Sequence, residues 1–174
     1  MPSSSWRSTS ALDAALCAHI NRVSRFWPAC ALFRAVSRLG DGVIWYALMA
    51  ALVLWDGVQA WTVVLRMAAA GLCGIAVYRA LKVRTSRPRP YQVVPAVTAA
   101  ALPLDEFSFP SGHTLHAVAF TLIATANYPD LSSLLFPLAA LIAASRLVLG
   151  LHYPSDVLAG GAIGGVIASA LLAI

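Results

Sequence analysis

Val43-Ile44-Trp45-Tyr46-Ala47-Leu48-Met49-Ala50-Ala51-Leu52-Val53-Leu54-Trp55 contains no charged side chain. With its flanks it approaches the ~20 residues that carry a helix across a bilayer. Residues 61–81 form a second apolar stretch, with Arg66 placed to snorkel back toward the Asp56-Gly57-Val58-Gln59 loop and Tyr78 and Arg79 at the far interface. Residues 112–127, 131–149 and 156–174 supply three more, parted by Asn127-Tyr128-Pro129-Asp130 and by a loop carrying His152. The expectation is an all-α integral membrane helical bundle with about five transmembrane helices. Composition agrees: 60% of residues are apolar and 11% charged, against about 25% charged in ordinary soluble domains.

Upstream, the pattern changes. Ser10 is placed to cap a helix with Asp13 three residues on, and Leu12, Ala15, Leu16, His19, Ile20, Val23 and Trp27 recur at helical spacing. Asp13, Asn21, Arg22 and Arg25 break the apolar run, so this segment reads as lying along a surface. Pro28 suits a first turn; Ala29, Leu32, Phe33, Val36 and Leu39 then repeat against Arg34 and Arg38, and Gly40 ends the pattern. Residues 1–39 are therefore expected to be an N-terminal amphipathic interfacial segment with two helices, the alternative being one ragged transmembrane helix. Residues 40–174 would form the membrane domain. No apolar h-region and cleavage site follow Met1-Pro2-Ser3-Ser4-Ser5-Trp6-Arg7, so no cleaved signal peptide is read.

The net charge of +5 does not point to nucleic acid, because Lys and Arg are sparse and confined to loops and helix ends. Anionic headgroups or phosphate fit better. Cys17, Cys30 and Cys73 are odd in number and far apart, so they read as small packing residues and not as a disulfide or zinc set. In the last apolar stretch Gly160, Gly161, Gly164 and Gly165 make two overlapping G-x-x-x-G pairs. Packing inside the bundle is their first reading, a homodimer interface the second.

Three polar blocks interrupt the apolar sequence. They are Lys82-Val83-Arg84-Thr85-Ser86-Arg87-Pro88-Arg89-Pro90, Phe109-Pro110-Ser111-Gly112-His113, and Ser145-Arg146 followed by His152 and Asp156. Counting crossings puts all three on one membrane face, where converging charges mark a functional site. A carboxylate four residues beyond His152 can reach a ring nitrogen and leave the other as base or nucleophile. The same spacing also suits a loop cap and a helix cap. Ser111 is a natural N-cap, and the free N–H groups of that first turn, with Gly112 permitting close approach, make an anion site beside His113. Lys82, Arg89 and Arg146 add fixed positive charge suited to phosphoryl oxygens. Arg84, Arg87, Arg22, Arg25, Arg34 and Arg38 read as ordinary interfacial anchors.

Taken together, Lys82…Arg89-Pro90, Pro110-Ser111-Gly112-His113 and Ser145-Arg146…His152…Asp156 resemble the three-part signature of the type 2 phosphatidic acid phosphatase superfamily, without a substitution. The likeness covers roughly residues 40–174. It implies a membrane-embedded, metal-independent and cofactor-free lipid phosphatase. His152 would be the nucleophile that forms a phosphohistidine, Asp156 would orient it, and His113 would be the general acid. Lys82, Arg89, Arg146, the Ser111 hydroxyl and the Gly112 backbone would hold the phosphoryl oxygens. The implied partner is a membrane lipid carrying a phosphate or diphosphate: a polyprenyl diphosphate, phosphatidic acid or phosphatidylglycerol phosphate. A lipid phosphotransferase using the same histidine is one alternative; a non-catalytic protein that binds anionic lipid is another. Related haloperoxidases, soluble as a class, fit an apolar chain poorly.

Many bacterial members resemble a six-span pattern, whereas here 10–39 stands in place of a first span. The resemblance implies a bacterial inner membrane protein with its active site on the periplasmic side. The clustering of basic residues on the active-site face points the other way by the positive-inside rule.

Overall fold

The computed structural model describes residues 11–174, and no strand occurs among them. The Ser10 cap and the leader reading fall outside the described residues. Among the described residues eight α-helices follow one another: α1 Ala11–Asn21, α2 Trp27–Leu39, α3 Val43–Asp56, α4 Trp61–Thr85, α5 Pro90–Val93, α6 Gly112–Asn127, α7 Ser132–Val148 and α8 Pro154–Leu172. Each apolar stretch read from the sequence is thus a helix. The 82–111 region begins with the last turn of α4, to Thr85, and beyond it, broken by Pro95 and Pro103, holds only the single turn α5.

Three stretches are long and apolar enough to cross a membrane by length and composition: Val43–Val93, Pro129–Val148 and Pro154–Leu172. α6 is not among them, for a physical reason. Its 16 residues rise about 24 Å at 1.5 Å each, short of a hydrocarbon core of about 30 Å, and its first turns carry His113, Thr114 and His116.

α6 is instead the centre of the bundle. Leu115, Ala117, Ala119, Phe120, Ile123 and Ala124 are all buried by α4, α7 and α8, which pack around it. The outward faces are apolar: Leu54 on α3 is 87% exposed, Leu72 on α4 71% and Leu158 on α8 74%. Large apolar side chains displayed on several helices mean that lipid, not water, covers this surface. The molecule is an all-helical integral membrane protein.

α8 lies against α6 at backbone distance. A Cβ at Gly160 would sit 2.5 Å from the Ser111 carbonyl oxygen, and one at Gly164 would sit 2.3 Å from that of Leu115. One of the two G-x-x-x-G pairs is therefore used inside the bundle. Gly165 has nothing within 4 Å of its Cβ position.

The amphipathicity of α1 runs opposite to a soluble helix. Leu12 and Leu16 point outward, while Asp13, Cys17 and Asn21, spaced four apart, are buried. The polar stripe that interrupted the apolar run in the sequence is the face packed on α7 and α8. Asn21 receives the Thr98 N–H and donates to the carbonyls of Thr98 and Val148. Cys17 and Cys30 are buried as expected, but Cys73 is exposed on the outer face of α4, where a small thiol meets lipid instead of core.

Candidate active site

The loop between α7 and α8 is built to present His152. The N–H groups of Leu151 and His152 both donate to the Arg146 carbonyl, at 3.1 and 3.2 Å. Gly150 has φ +71°, and a Cβ there would lie 2.5 Å from the Thr98 carbonyl oxygen, so the turn needs glycine both for its conformation and for its space. Pro154 opens α8, and Asp156, three residues after the cap residue Tyr153, accepts the Tyr153 N–H at 2.8 Å.

His152 is 2% exposed, and its two ring nitrogens face different charges. Nε2 lies 3.4 Å from Arg89 Nη1, while Nδ1 lies 3.6 Å from Asp156 Oδ2. The second separation is within ion-pair range but longer than a hydrogen bond; Asp156 spends its short contacts on Arg87 Nη1 at 2.6 Å and on the Tyr153 N–H. Burial, and then the charges of Arg146, Arg89, Lys82 and His113, push the His152 ring well below its ordinary range. At neutral pH it is an uncharged imidazole with a lone pair beside a guanidinium.

The cations converge around it. Lys82 Nζ donates to Asp105 Oδ1 and to the Phe107 carbonyl, both at 2.7 Å. Arg89 Nη2 reaches the same Asp105 oxygen at 2.7 Å, its Nε the Asp105 carbonyl at 3.0 Å, and its Nη1 the Leu151 carbonyl at 2.8 Å. Burial pushes the Asp105 carboxyl up, but hydrogen bonds and charge from Lys82 and Arg89 outweigh this and hold it below the usual carboxylate range. Arg146 Nη1 donates to Ser37 Oγ of α2, and its buried Nε has no partner among the described residues.

His113 stands in the first turn of α6 with Nε2 on the carboxylate of Asp41, from the turn between α2 and α3. A cavity of about 900 Å³ joins these groups. Lys82, Arg89, Gly112, His113, Arg146 and His152 form its polar end, and Trp45, Met49, Met67 and Phe120 line its apolar depth. Ser111 stands behind this wall. It is fully buried, its Oγ caps α6 by accepting from the Thr114 N–H at 3.4 Å, and its N–H donates to the Asp156 carbonyl at 3.0 Å.

Arg87 corrects the sequence reading. It is not an interfacial anchor: it is 7% exposed, stacked 4.1 Å above the Tyr153 ring, and forked between Asp156 and Asp13, the latter 2.7 Å from Nη2. Asp13, Asp41 and Asp105 were equally missed. Each answers to a partner elsewhere in the chain, and no local spacing announces it. Cys17 Sγ contacts the His152 carbonyl at 3.7 Å, but burial first, and then Asp13 and Asp156, push its thiol up to about 12, which removes it as a nucleophile.

Among solved structures, the chain is similar to Aquifex aeolicus LpxE, with 26% identity and a TM-score of 0.81 over 94% of this chain and 96% of that one. It also shares its fold with the first transmembrane PAP2-type phosphatidylglycerolphosphate phosphatase from Bacillus subtilis, with 22% identity and a TM-score of 0.73 over 96% and 86% of the two chains. No curated protein sequence matches it. The sequence model of the PAP2 superfamily matches residues 59–174, which include all three polar blocks, and the chain belongs to that superfamily.

Proposed function

We propose that the protein hydrolyses a lipid phosphate or diphosphate without a metal, through a phosphohistidine on His152. One observation carries this: the buried His152 Nε2 opens toward Arg89, Lys82 and Arg146 while Nδ1 faces Asp156. In the first step the Nε2 lone pair attacks phosphorus, the bond from phosphorus to the leaving oxygen breaks, and His113 gives that oxygen a proton. With its Nε2 held by Asp41, a protonated His113 has Nδ1–H left to give. The ring charge that develops on His152 is met by Asp156, and the equatorial oxygens by the three cations and the Gly112 N–H. In the second step His113 takes a proton from water, the water oxygen attacks phosphorus, and the P–N bond breaks to release phosphate and neutral His152. The Ser111 hydroxyl supports the site as the cap that sets the direction of α6.

The substrate is a lipid because the cavity runs from cations into Trp45, Met67 and Phe120; polyprenyl diphosphate, phosphatidic acid and phosphatidylglycerol phosphate all fit this description. In this reading α3, α4, α6, α7 and α8 are the five crossings, and α6 makes its shorter one inside its neighbours, out of contact with lipid, so it need not match the hydrocarbon thickness. The membrane is a bacterial inner membrane and the site faces the periplasm. The test is phosphate release by purified protein in detergent with EDTA, offered each of the three lipids. Release that disappears in His152→Ala supports the reading, whereas equal release by that variant, or release abolished by EDTA, overturns it.

A further inference from the structure

The buried carboxylate Asp156 meets His152 on one side and Arg87 on the other. Alone, Arg87 and Asp156 would sum to zero charge, and the pair would give little to a ring that becomes cationic when Nε2 takes a phosphoryl group. The need is acute, because the other groups around that ring oppose the charge: Arg146 from α7, Arg89, Lys82 from α4 and His113 from α6. Asp105 is committed to Lys82 and Arg89, and the Cys17 thiol of α1 reaches the backbone carbonyl of His152, not its ring.

α1 also supplies Asp13. Its Oδ2 takes Arg87 Nη2 at 2.7 Å and the Ser155 hydroxyl, and its Oδ1 takes the Ser155 N–H at 3.1 Å. Asp13, Arg87 and Asp156 are 7%, 7% and 0% exposed, so water screens this trio little. Its net charge is minus one. Asp13 lies outside residues 59–174, the part matched by the family model, and 74 residues from Arg87.

We infer that Asp13 is a positioning residue for phosphoryl transfer: by occupying the second nitrogen of Arg87, it leaves the negative charge of Asp156 available to the His152 ring. The inference rests on the phosphohistidine reading. α1 is then part of the catalytic apparatus and not only a surface anchor. Its apolar outer face, with Leu12 and Leu16, sits in lipid, and its polar inner face sets the charge at the nucleophile.

The experiment compares wild type, Asp13→Asn, Asp13→Glu and the outer-face control Leu12→Ala. The probe is whichever of phosphatidic acid, phosphatidylglycerol phosphate or a polyprenyl diphosphate the wild type turns over fastest in detergent micelles. Asp13→Asn keeps the shape and removes the charge. It should lower kcat roughly tenfold or more with KM little changed, the order expected for losing one poorly screened charge. It should also move the acid limb of kcat/KM to lower pH, because a ring that loses a neighbouring negative charge protonates less readily. Asp13→Glu should restore the limb and most of the rate, and Leu12→Ala should match wild type. If Asp13→Asn is not monodisperse, Asp13→Ser takes its place. An acid limb that stays at its wild-type position, with or without a fall in rate, overturns the inference and leaves Asp13 a structural residue. If wild type releases no phosphate, or His152→Ala retains full activity, the phosphohistidine reading fails first and the role of Asp13 falls with it.

Discussion

Consider Gly164→Ala beside Gly165→Ala, the same substitution one residue apart on α8. At Gly164 the new methyl would lie 2.3 Å from the Leu115 carbonyl oxygen, where ordinary contact begins at 3.4 Å, a deficit of 3.4 − 2.3 = 1.1 Å. The obstacle is backbone, so no rotamer change relieves it and α8 must move away from α6. Overpacking of this kind costs about 1–3 kcal/mol, and a contact with backbone belongs at the upper end. The better helix propensity of alanine returns about 1 kcal/mol, leaving a net loss of about 1–2 kcal/mol. At Gly165 nothing lies within 4 Å, so only the propensity gain remains. Activity should separate the variants further, because α6 carries His113 and the start of α8 carries Asp156. A displacement on the order of 1 Å can cost about a hundredfold in rate. Thermal unfolding followed by fluorescence-detected gel filtration gives the stability order, and phosphate release gives the rates. Gly164→Ala should be the less stable and much the slower of the two. Equal stability and equal rates would refute the backbone contact between α6 and α8.

Two further outcomes follow from the charges. His152 is held neutral, with its folded value well below the ordinary one, so between those values the unfolded chain binds the extra proton and stability falls as pH drops below about 6.5. The acid limb of kcat/KM should therefore lie below about pH 6.5; a limb at or above 7 contradicts the buried neutral ring. Asp105 occupies both Lys82 and Arg89 and competes with an incoming phosphate, so Asp105→Asn should tighten competitive inhibition by inorganic phosphate several-fold. Weaker inhibition would mean that Asp105 serves chiefly to hold the two cations in place.

Much of this was legible in the sequence, and what was not has a common cause. The apolar stretches became helices because their composition leaves the backbone no other way to satisfy its polar groups in lipid. His113, His152, Lys82, Arg89 and Arg146 were recognisable because each belongs to a block with fixed spacing, and counting crossings brought the blocks together. Arg87 sits in the middle of such a block and was still misread, since spacing does not say which way a side chain turns. Asp13, Asp41 and Asp105 answer to partners 74, 72 and 16 to 23 residues away, beyond any local pattern. Periodicity also found the apolar stripe of α1, but it did not say that the polar stripe is the one packed into the bundle.

The most direct test is rapid quenching of the enzyme during turnover of a lipid labelled with ³²P in its terminal phosphate, followed by digestion and mapping of the labelled peptide. The mechanism predicts an acid-labile, alkali-stable phosphoryl group on the peptide that contains His152, absent from His152→Ala. Sustained release of labelled phosphate with no phosphoenzyme at any quench time, or with the label on another residue, would contradict it.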